Sequence, residues 1–424
     1  MPQIFLGMIY WKKLSKEERK NRVQNALSGN VNFAKDTSLG YPASSLDGKV
    51  FYDASFLKEA PVLQTFVANP NHIGCHTLGD SESAFKGTQL LERDVLNILG
   101  VDVFKAAPDS FDGYISPGGT EANIQAVWMY RNYFMYKYDA RLDEIVILAS
   151  EDTHYSIPKS ANLLQLDWLK IPVGFENRKL NITALNTIVE NAIAEGKKYF
   201  IVVSNMGTTM FGSVDNPDDY IKVLEAHRAH YKVHIDGAYG GFVYPFSNQE
   251  STINFSNPKI SSITIDAHKM LQAPYGTGVF ICRKGLIENV LTKEAEYVEG
   301  MDLTLCGSRS GANAVSVWMI LRTYGPHKWF EKISVLQMRT QFLCNELDAL
   351  NIKYFREPFM NIVTIHAEYI PKELAEKYDL VPETHNHTNK WYKIVLMNHV
   401  EIEDLTKFIS ELKASYNVEK GVTN

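Results

Sequence analysis

Short apolar runs alternate with amphipathic stretches through the middle of this chain. Ile145–Leu148, Trp168–Pro172, Tyr199–Ser204, Lys232–Asp236, Ser262–Asp266 and Thr277–Cys282 read as strands. Between them Ile124–Tyr136, Ala184–Ala194 and Pro217–Ala229 carry helical spacing. Strands alternating with helices imply an α/β fold, with a mostly parallel sheet covered by helices on both faces. Before this region, Leu14–Ala26 is an amphipathic helix ended by Ser28-Gly29-Asn30, and Thr88–Leu99 is a second helix. After it come helices at Ala312–Arg322 and Lys328–Leu350, strands at Asn361–Ile365 and Trp391–Leu396, and a final helix at Glu403–Tyr416. The expected division is an N-terminal segment (1–70), a large domain (71–310), and a linking helix with a small C-terminal α+β domain (311–424).

Composition narrows the function classes. The 424 residues are 45% hydrophobic and 22% charged, ample for more than one core. A net charge of −6 gives no electrostatic footprint for nucleic acid. No run reaches the apolar length of a membrane span. The apolar start, Met1–Trp11, lacks a basic region before it and a small-residue cleavage site, so it reads as a packing or dimer arm. Cys75, Cys282, Cys306 and Cys344 are scattered without a CxxC, which fits a reduced, cytoplasmic protein. His385-Asn386-His387 has poor metal spacing, and no metal site is expected.

Four segments carry candidate chemistry. Ser262–Met270 is a β-branched run ending in His268-Lys269; a lysine placed after a buried strand suits covalent attack on a carbonyl, and a surface lysine at a strand end reads equally well. Val233–Gly241 ends in Asp236-Gly237-Ala238, an acid beside a residue small enough for a flat ring; a solvated carboxylate or a helix cap is the alternative. Ser116–Asn123 sets Gly118-Gly119-Thr120 at a helix start, where N–H groups and a hydroxyl face an anion, or simply cap the helix. It has neither the dinucleotide nor the Walker spacing. Asp152–Ser156 places His154 just past a strand, as a stacking imidazole or an ordinary loop histidine. Thr120, His154, Thr209, Asp236 and Lys269 all follow expected strands, where ligands of parallel sheets bind.

Taken together and in order, SPGGTEAN, DTHYS, NMGTTMFGSVDN, HIDGAYGGF, DAHKM and GSRSG resemble the group II pyridoxal-phosphate amino-acid decarboxylases. The resemblance runs from about Gly40 to the C-terminus and is nearest the compact bacterial and archaeal histidine and tyrosine/aspartate decarboxylases. It implies the fold type I architecture of pyridoxal 5'-phosphate enzymes and decarboxylation of an L-amino acid to its primary amine. It implies cofactor attachment at Lys269, Asp236 on the ring nitrogen, His154 and Ala238 on the two ring faces, and Gly119, Thr120, Thr209, His268 and Ser308 as further cofactor contacts. The loop holding His76 and Thr77 would touch substrate. Tyr297 would return a proton to the substrate carbon from across a homodimer with shared sites. Arg309 would contact cofactor or form a structural salt bridge. A retro-aldol carbon–carbon lyase on the same scaffold and a non-catalytic cofactor-binding protein are the rival readings. Tyr239, after Ala238, departs from the small residues often found there and leaves the amino acid undecided.

Overall fold

The computed structural model describes residues 11–30, 83–293, 300–384 and 389–419. Its centre is a seven-stranded sheet formed by β1 (Phe111–Ser116), β2 (Ile145–Ser150), β3 (Asp167–Ile171), β4 (Tyr199–Asn205), β5 (His230–Asp236), β6 (Ile260–Ile265) and β7 (Gly278–Arg283). The strand order is β1-β7-β6-β5-β4-β2-β3. β3, β2, β4, β5 and β6 pair in parallel. β7 runs antiparallel to both β6 and β1, so β1 points the same way as the parallel block. All strands except β7 therefore end on one edge of the sheet.

The apolar runs sort by parity. In β2, Val146 and Leu148 pack on one face, and Ile145, Ile147 and Ala149 on the other. In β4, Phe200 and Val202 oppose Tyr199, Ile201 and Val203 in the same way. Both faces are dry, which is why these strands read as continuous apolar runs. Helices α1 (Lys16–Ser28), α2 (Lys86–Asn97), α5 (Ile182–Ala194) and α6 (Pro217–Ala226) cover the first face. Helices α3 (Gly119–Tyr138) and α4 (Ser156–Leu164) cover the second. A π-turn, Ile98–Val103, continues α2 beyond the expected end at Leu99.

Helix α7 (Gly311–Ala349) links the large body to a four-stranded antiparallel sheet, β10 (Val381–Pro382), β11 (Trp391–Val395), β9 (Ile362–His366) and β8 (Tyr354–Phe355). Helices α8 (Lys372–Lys377) and α9 (Ile402–Glu419) complete this unit, whose core is separate. Two helices were expected where α7 lies. Their break survives as non-helical Gly325, at φ 66°, followed by Pro326, which cannot donate to the helix ladder. No helix among the described residues is long and apolar enough to cross a membrane.

One buried cluster locks β1, and with it the glycine turn that follows. Glu92 of α2 and Arg309, just before α7, form an ion pair with both side chains essentially inaccessible. Glu92 also accepts the Ile115 N–H at 2.6 Å, and Arg309 donates to the Ile115 carbonyl at 3.0 Å. The Arg309 guanidinium lies 5.1 Å from the Tyr114 ring centroid. The Tyr114 hydroxyl reaches Glu121, in the first turn of α3, at 3.0 Å. Of the two roles expected for Arg309, the geometry shows the structural one.

Two outcomes are expected. Glu92→Gln strands a buried guanidinium and should destabilise the fold by about 3–5 kcal/mol in chemical denaturation. Burial raises the Glu121 carboxyl from 4.5 to about 7. The unfolded chain releases this proton at lower pH than the folded one, so Glu121's contribution is fully present below its unfolded pKa and lost as pH rises towards 7. Glu121→Gln should flatten that part of the stability–pH curve, and an unchanged curve would assign the slope to other groups.

Candidate active site

A cavity of about 430 Å³ opens at the C-terminal edge of the sheet, between the large body and the antiparallel sheet. Strand ends place its groups. β5 delivers Asp236, the turn after β2 delivers His154, the turn after β4 delivers Gly207 to Thr209, and the turn after β6 delivers His268 and Lys269. The far wall comes from Ile362 on β9 and from Lys393, Val395 and Met397 on and after β11.

Asp236 is buried at 5% exposure. Its Oδ2 accepts from Asn123 Nδ2 at 2.8 Å and its Oδ1 from the Ala238 N–H at 3.1 Å. Both donors are neutral, so no counter-charge meets this carboxylate through its hydrogen bonds. His154 lies beside it, with Nδ1 2.9 Å from Ser156 Oγ. Burial lowers the pKa of His154, against the opposing pull of Asp236.

Lys269 sits in the turn after β6, 3.2 Å from Asp266 Oδ2. The same carboxylate accepts the Gly119 N–H at 2.7 Å and lies 3.2 Å from His268 Nδ1. Asp266 thus joins the lysine to the N-terminus of α3. Gly118 holds φ 108°, where side chains are strained, and a Cβ on Gly119 would come within 3.0 Å of Asp266 Oδ2. An amine, a carboxylate for a ring nitrogen, a methyl-sized wall at Ala238 and a glycine turn at a helix N-terminus, whose Gly119 N–H here donates to Asp266, together fit a phosphorylated pyridine aldehyde.

Of the residues singled out in the sequence, His154, Thr209, Asp236, Ala238, His268 and Lys269 line this one cavity. Gly119 adjoins it through Asp266, and Thr120 follows in the first turn of α3, partly buried. Thr209 is exposed, and its carbonyl accepts from Lys393 Nζ at 3.0 Å. The hydroxyl that meets His154 belongs to Ser156. Ser308 is exposed and is not part of the cavity wall of its own chain. His76, Thr77 and Tyr297 lie outside the described residues.

Sequence reasoning did not pick out Asn123, Ser156, Asp266 or Lys393. The first three fall inside motifs quoted for other members, and the register of Asn123 on α3, one turn after Gly119, was the available signal. Lys393 gives no local signal, because a different sheet carries it to the cavity.

Known proteins are similar to this chain. A family profile described as the pyridoxal-dependent decarboxylase conserved domain covers residues 72–355. The chain is 52% identical over 407 residues to the tryptophan decarboxylase of Clostridium sporogenes (strain ATCC 15579), covering 96% of this chain and 98% of that one. It is 31% identical over 365 residues to a probable L-tyrosine/L-aspartate decarboxylase of Methanocella arvoryzae, covering 83% and 92%. The crystal structure of L-methionine decarboxylase from Streptomyces sp.590 superposes with a TM-score of 0.70 at 19% identity over 98% of each chain, a likeness of fold. The fold is that of the type I pyridoxal-phosphate enzymes, as the resemblance implied. The chain therefore belongs to the pyridoxal-dependent decarboxylase family, and is a pyridoxal 5'-phosphate enzyme that removes carbon dioxide from an L-amino acid.

Proposed function

We propose that the substrate is an aromatic L-amino acid, tryptophan foremost, converted to its primary amine. The observation that carries this reading is the 52% identity to a tryptophan decarboxylase over nearly the whole chain. The cavity supports it. Tyr239, Ile362, Val395 and Met397 contribute an apolar part of its lining. An acidic side chain would need a cation there, and Lys393 is the candidate. Burial and the charge of Lys269 lower the pKa of Lys393, and its Nζ already donates to the Thr209 carbonyl.

Bound pyridoxal phosphate supplies the electron sink, a protonated ring that takes up the electrons released when the bond to the carboxylate breaks. In this reading Lys269 would hold the cofactor covalently, and Asp236 would keep its ring nitrogen protonated. His154 and Ala238 would flank the ring. Gly119, Thr120, Thr209 and His268 would be further cofactor contacts, and Ser308 would reach the site of a second copy. His76 and Thr77 contact substrate, and Tyr297 returns a proton to the α-carbon, its phenol being able to donate near neutral pH.

A homodimer with shared sites suits the lip of the cavity. Tyr275 is 91% exposed there, and Met301, Leu305 and Ser308 are exposed on the segment before α7. Cys282, Cys306 and Cys344 are free thiols, which suits the cytoplasm; cell fractionation checks the location.

A panel of tryptophan, phenylalanine, tyrosine, histidine and aspartate, assayed for CO2 release, should give tryptophan the highest kcat/KM. Aspartate in first place would overturn the aromatic reading. Lys269→Ala should abolish turnover and the borohydride-fixed cofactor adduct, and an adduct persisting in that variant would move the attachment elsewhere. Tyr297→Phe should keep the cofactor and bind substrate but form amine at least about 100-fold more slowly, the scale of a lost general acid. Mixing Tyr297→Phe with Lys269→Ala subunits should restore activity through one intact site per heterodimer. Amine formation at the normal rate by Tyr297→Phe would assign the proton to another group.

A further inference from the structure

Beneath the cavity runs a chain of buried hydrogen bonds whose members lie on two strands, two helices and the turn after β2. The Tyr130 hydroxyl of α3 meets Ser262 Oγ of β6. Ser262 Oγ lies 2.7 Å from His234 Nδ1 of β5. His234 Nε2 lies 2.9 Å from Asn123 Oδ1, with Thr264 Oγ1 a weaker partner at 3.3 Å. Asn123 Nδ2 reaches Asp236 Oδ2 at 2.8 Å and Ser156 Oγ at 3.0 Å. Ser156 Oγ lies 2.9 Å from His154 Nδ1. Tyr130, Ser262, His234, Asn123 and Ser156 are all buried.

The protons in this chain can be assigned one by one. Asp236 is an acceptor, so the amide of Asn123 must present its nitrogen to it and its oxygen to His234. His234 must then carry its proton on Nε2, because Asn123 Oδ1 can only accept. Burial lowers His234 to about 4, so the ring is neutral and its Nδ1 is an acceptor. Ser262 therefore donates to His234, and Tyr130 donates to Ser262. On the other side, Ser156 Oγ accepts from Asn123 and is left to donate to His154 Nδ1. The Ser156 backbone N–H also donates to that nitrogen, at 3.2 Å. Two donors facing Nδ1 leave no room for a proton on it.

We propose that Asn123 is a positioning residue that divides one hydrogen-bond chain between Asp236 and His154, and that this chain fixes His154 as the tautomer protonated on Nε2, its edge towards the cavity. One amide thereby holds the carboxylate under the ring nitrogen and sets the imidazole on the ring face. A neutral imidazole with its single proton on Nε2 is a hydrogen-bond donor and a poor acid. His154 then offers a donor to an anionic group of the substrate, and proton delivery to the α-carbon falls to another residue. The proposal rests on the reading of Asp236 and His154 as cofactor contacts, but its first test does not.

That test is the tautomer itself. In holoenzyme labelled with 15N-histidine and free of substrate, long-range proton–nitrogen correlation should show His154 Nδ1 unprotonated and Nε2 protonated. Ser156→Ala removes the shorter of the two donors to Nδ1 and leaves only the backbone N–H at 3.2 Å, so both tautomers should come into view with the protein folded, and Ser156→Thr, which keeps the hydroxyl, should restore one. Asn123→Leu should mix the tautomers too and also move the pH titration of the cofactor's absorbance, which Ser156→Ala should leave in place. Its kcat should fall about tenfold or more with KM little changed, the scale seen when a supporting hydrogen bond is lost. A proton on His154 Nδ1 in the wild type, or an unchanged single tautomer in Ser156→Ala, would overturn the proposal even if Asn123→Leu fails to fold. If the tautomer is as stated but Asp236→Asn leaves cofactor and turnover untouched, the hydrogen-bond chain stands and the role given to Asp236 falls.

Discussion

A nearly dry carboxylate held by neutral donors is the constraint around which the rest is arranged. Asp236 accepts from an asparagine amide and a backbone N–H, and no ion pair to it occurs among the described residues. A cation at either position would already satisfy it. Glu92 is the opposite case on the same scaffold. Arg309 neutralises it completely, and the pair orders the end of β1. Burying a charge without a counter-charge costs several kcal/mol and is tolerated only with hydrogen bonds supplied. The sheet therefore places α3 against β5 so that Asn123 reaches Asp236. The glycine turn at the start of α3 lands beside Asp266 and Lys269 as a result, because one helix provides both the amide and the anion-facing terminus.

Much of this arrangement was legible along the chain. Continuous apolar runs of β-branched residues announced strands dry on both faces, and parallel topology then puts the residues after them on one edge. Lys269, Asp236 and His154 could be grouped for that reason, without any contact being known. β1 was harder, and it is absent from the apolar runs read as strands. Asp112 and Gly113 weaken its pattern, yet a Cβ on Gly113 would fall 2.3 Å from the Phe280 carbonyl, so the glycine is what lets β1 lie against β7. The partners of buried charges were not legible. Arg309 and Glu92 are 217 residues apart, and nothing local to either distinguishes a structural pair from a ligand contact.

The same limit explains the polar residues that were missed. Asn123 lies inside a helix and Ser156 at the start of one, positions where such residues ordinarily bond their own backbone. Their roles appear only when α3, α4 and β5 are packed together. Lys393 arrives from an antiparallel sheet beyond a 39-residue broken helix. Its place in the cavity depends on the pairing of β11 with β9 and on its bond to the Thr209 carbonyl, neither of which pattern reading records.

Tyr239 shows how the two bodies share the substrate side of the cavity. Ala238 keeps one wall small where a flat ring would lie. The next side chain turns away to β9, where its hydroxyl donates to Asn361 at 3.1 Å and contacts Met397 Sδ at 3.5 Å. Burial raises the Tyr239 phenol, so it stays a donor throughout the neutral range. Asn361 in turn donates to the Leu396 carbonyl at 3.0 Å, which fixes the strand end carrying Val395 and Met397. A residue adjoining the cofactor wall is thus hydrogen-bonded to the elements that form the apolar wall. A smaller residue at 239 would leave the carboxylate, the lysine and the glycine turn in place and loosen only that wall. The carboxylate, the lysine and the glycine turn come from the edge of one sheet, and the apolar wall comes from the joint between two.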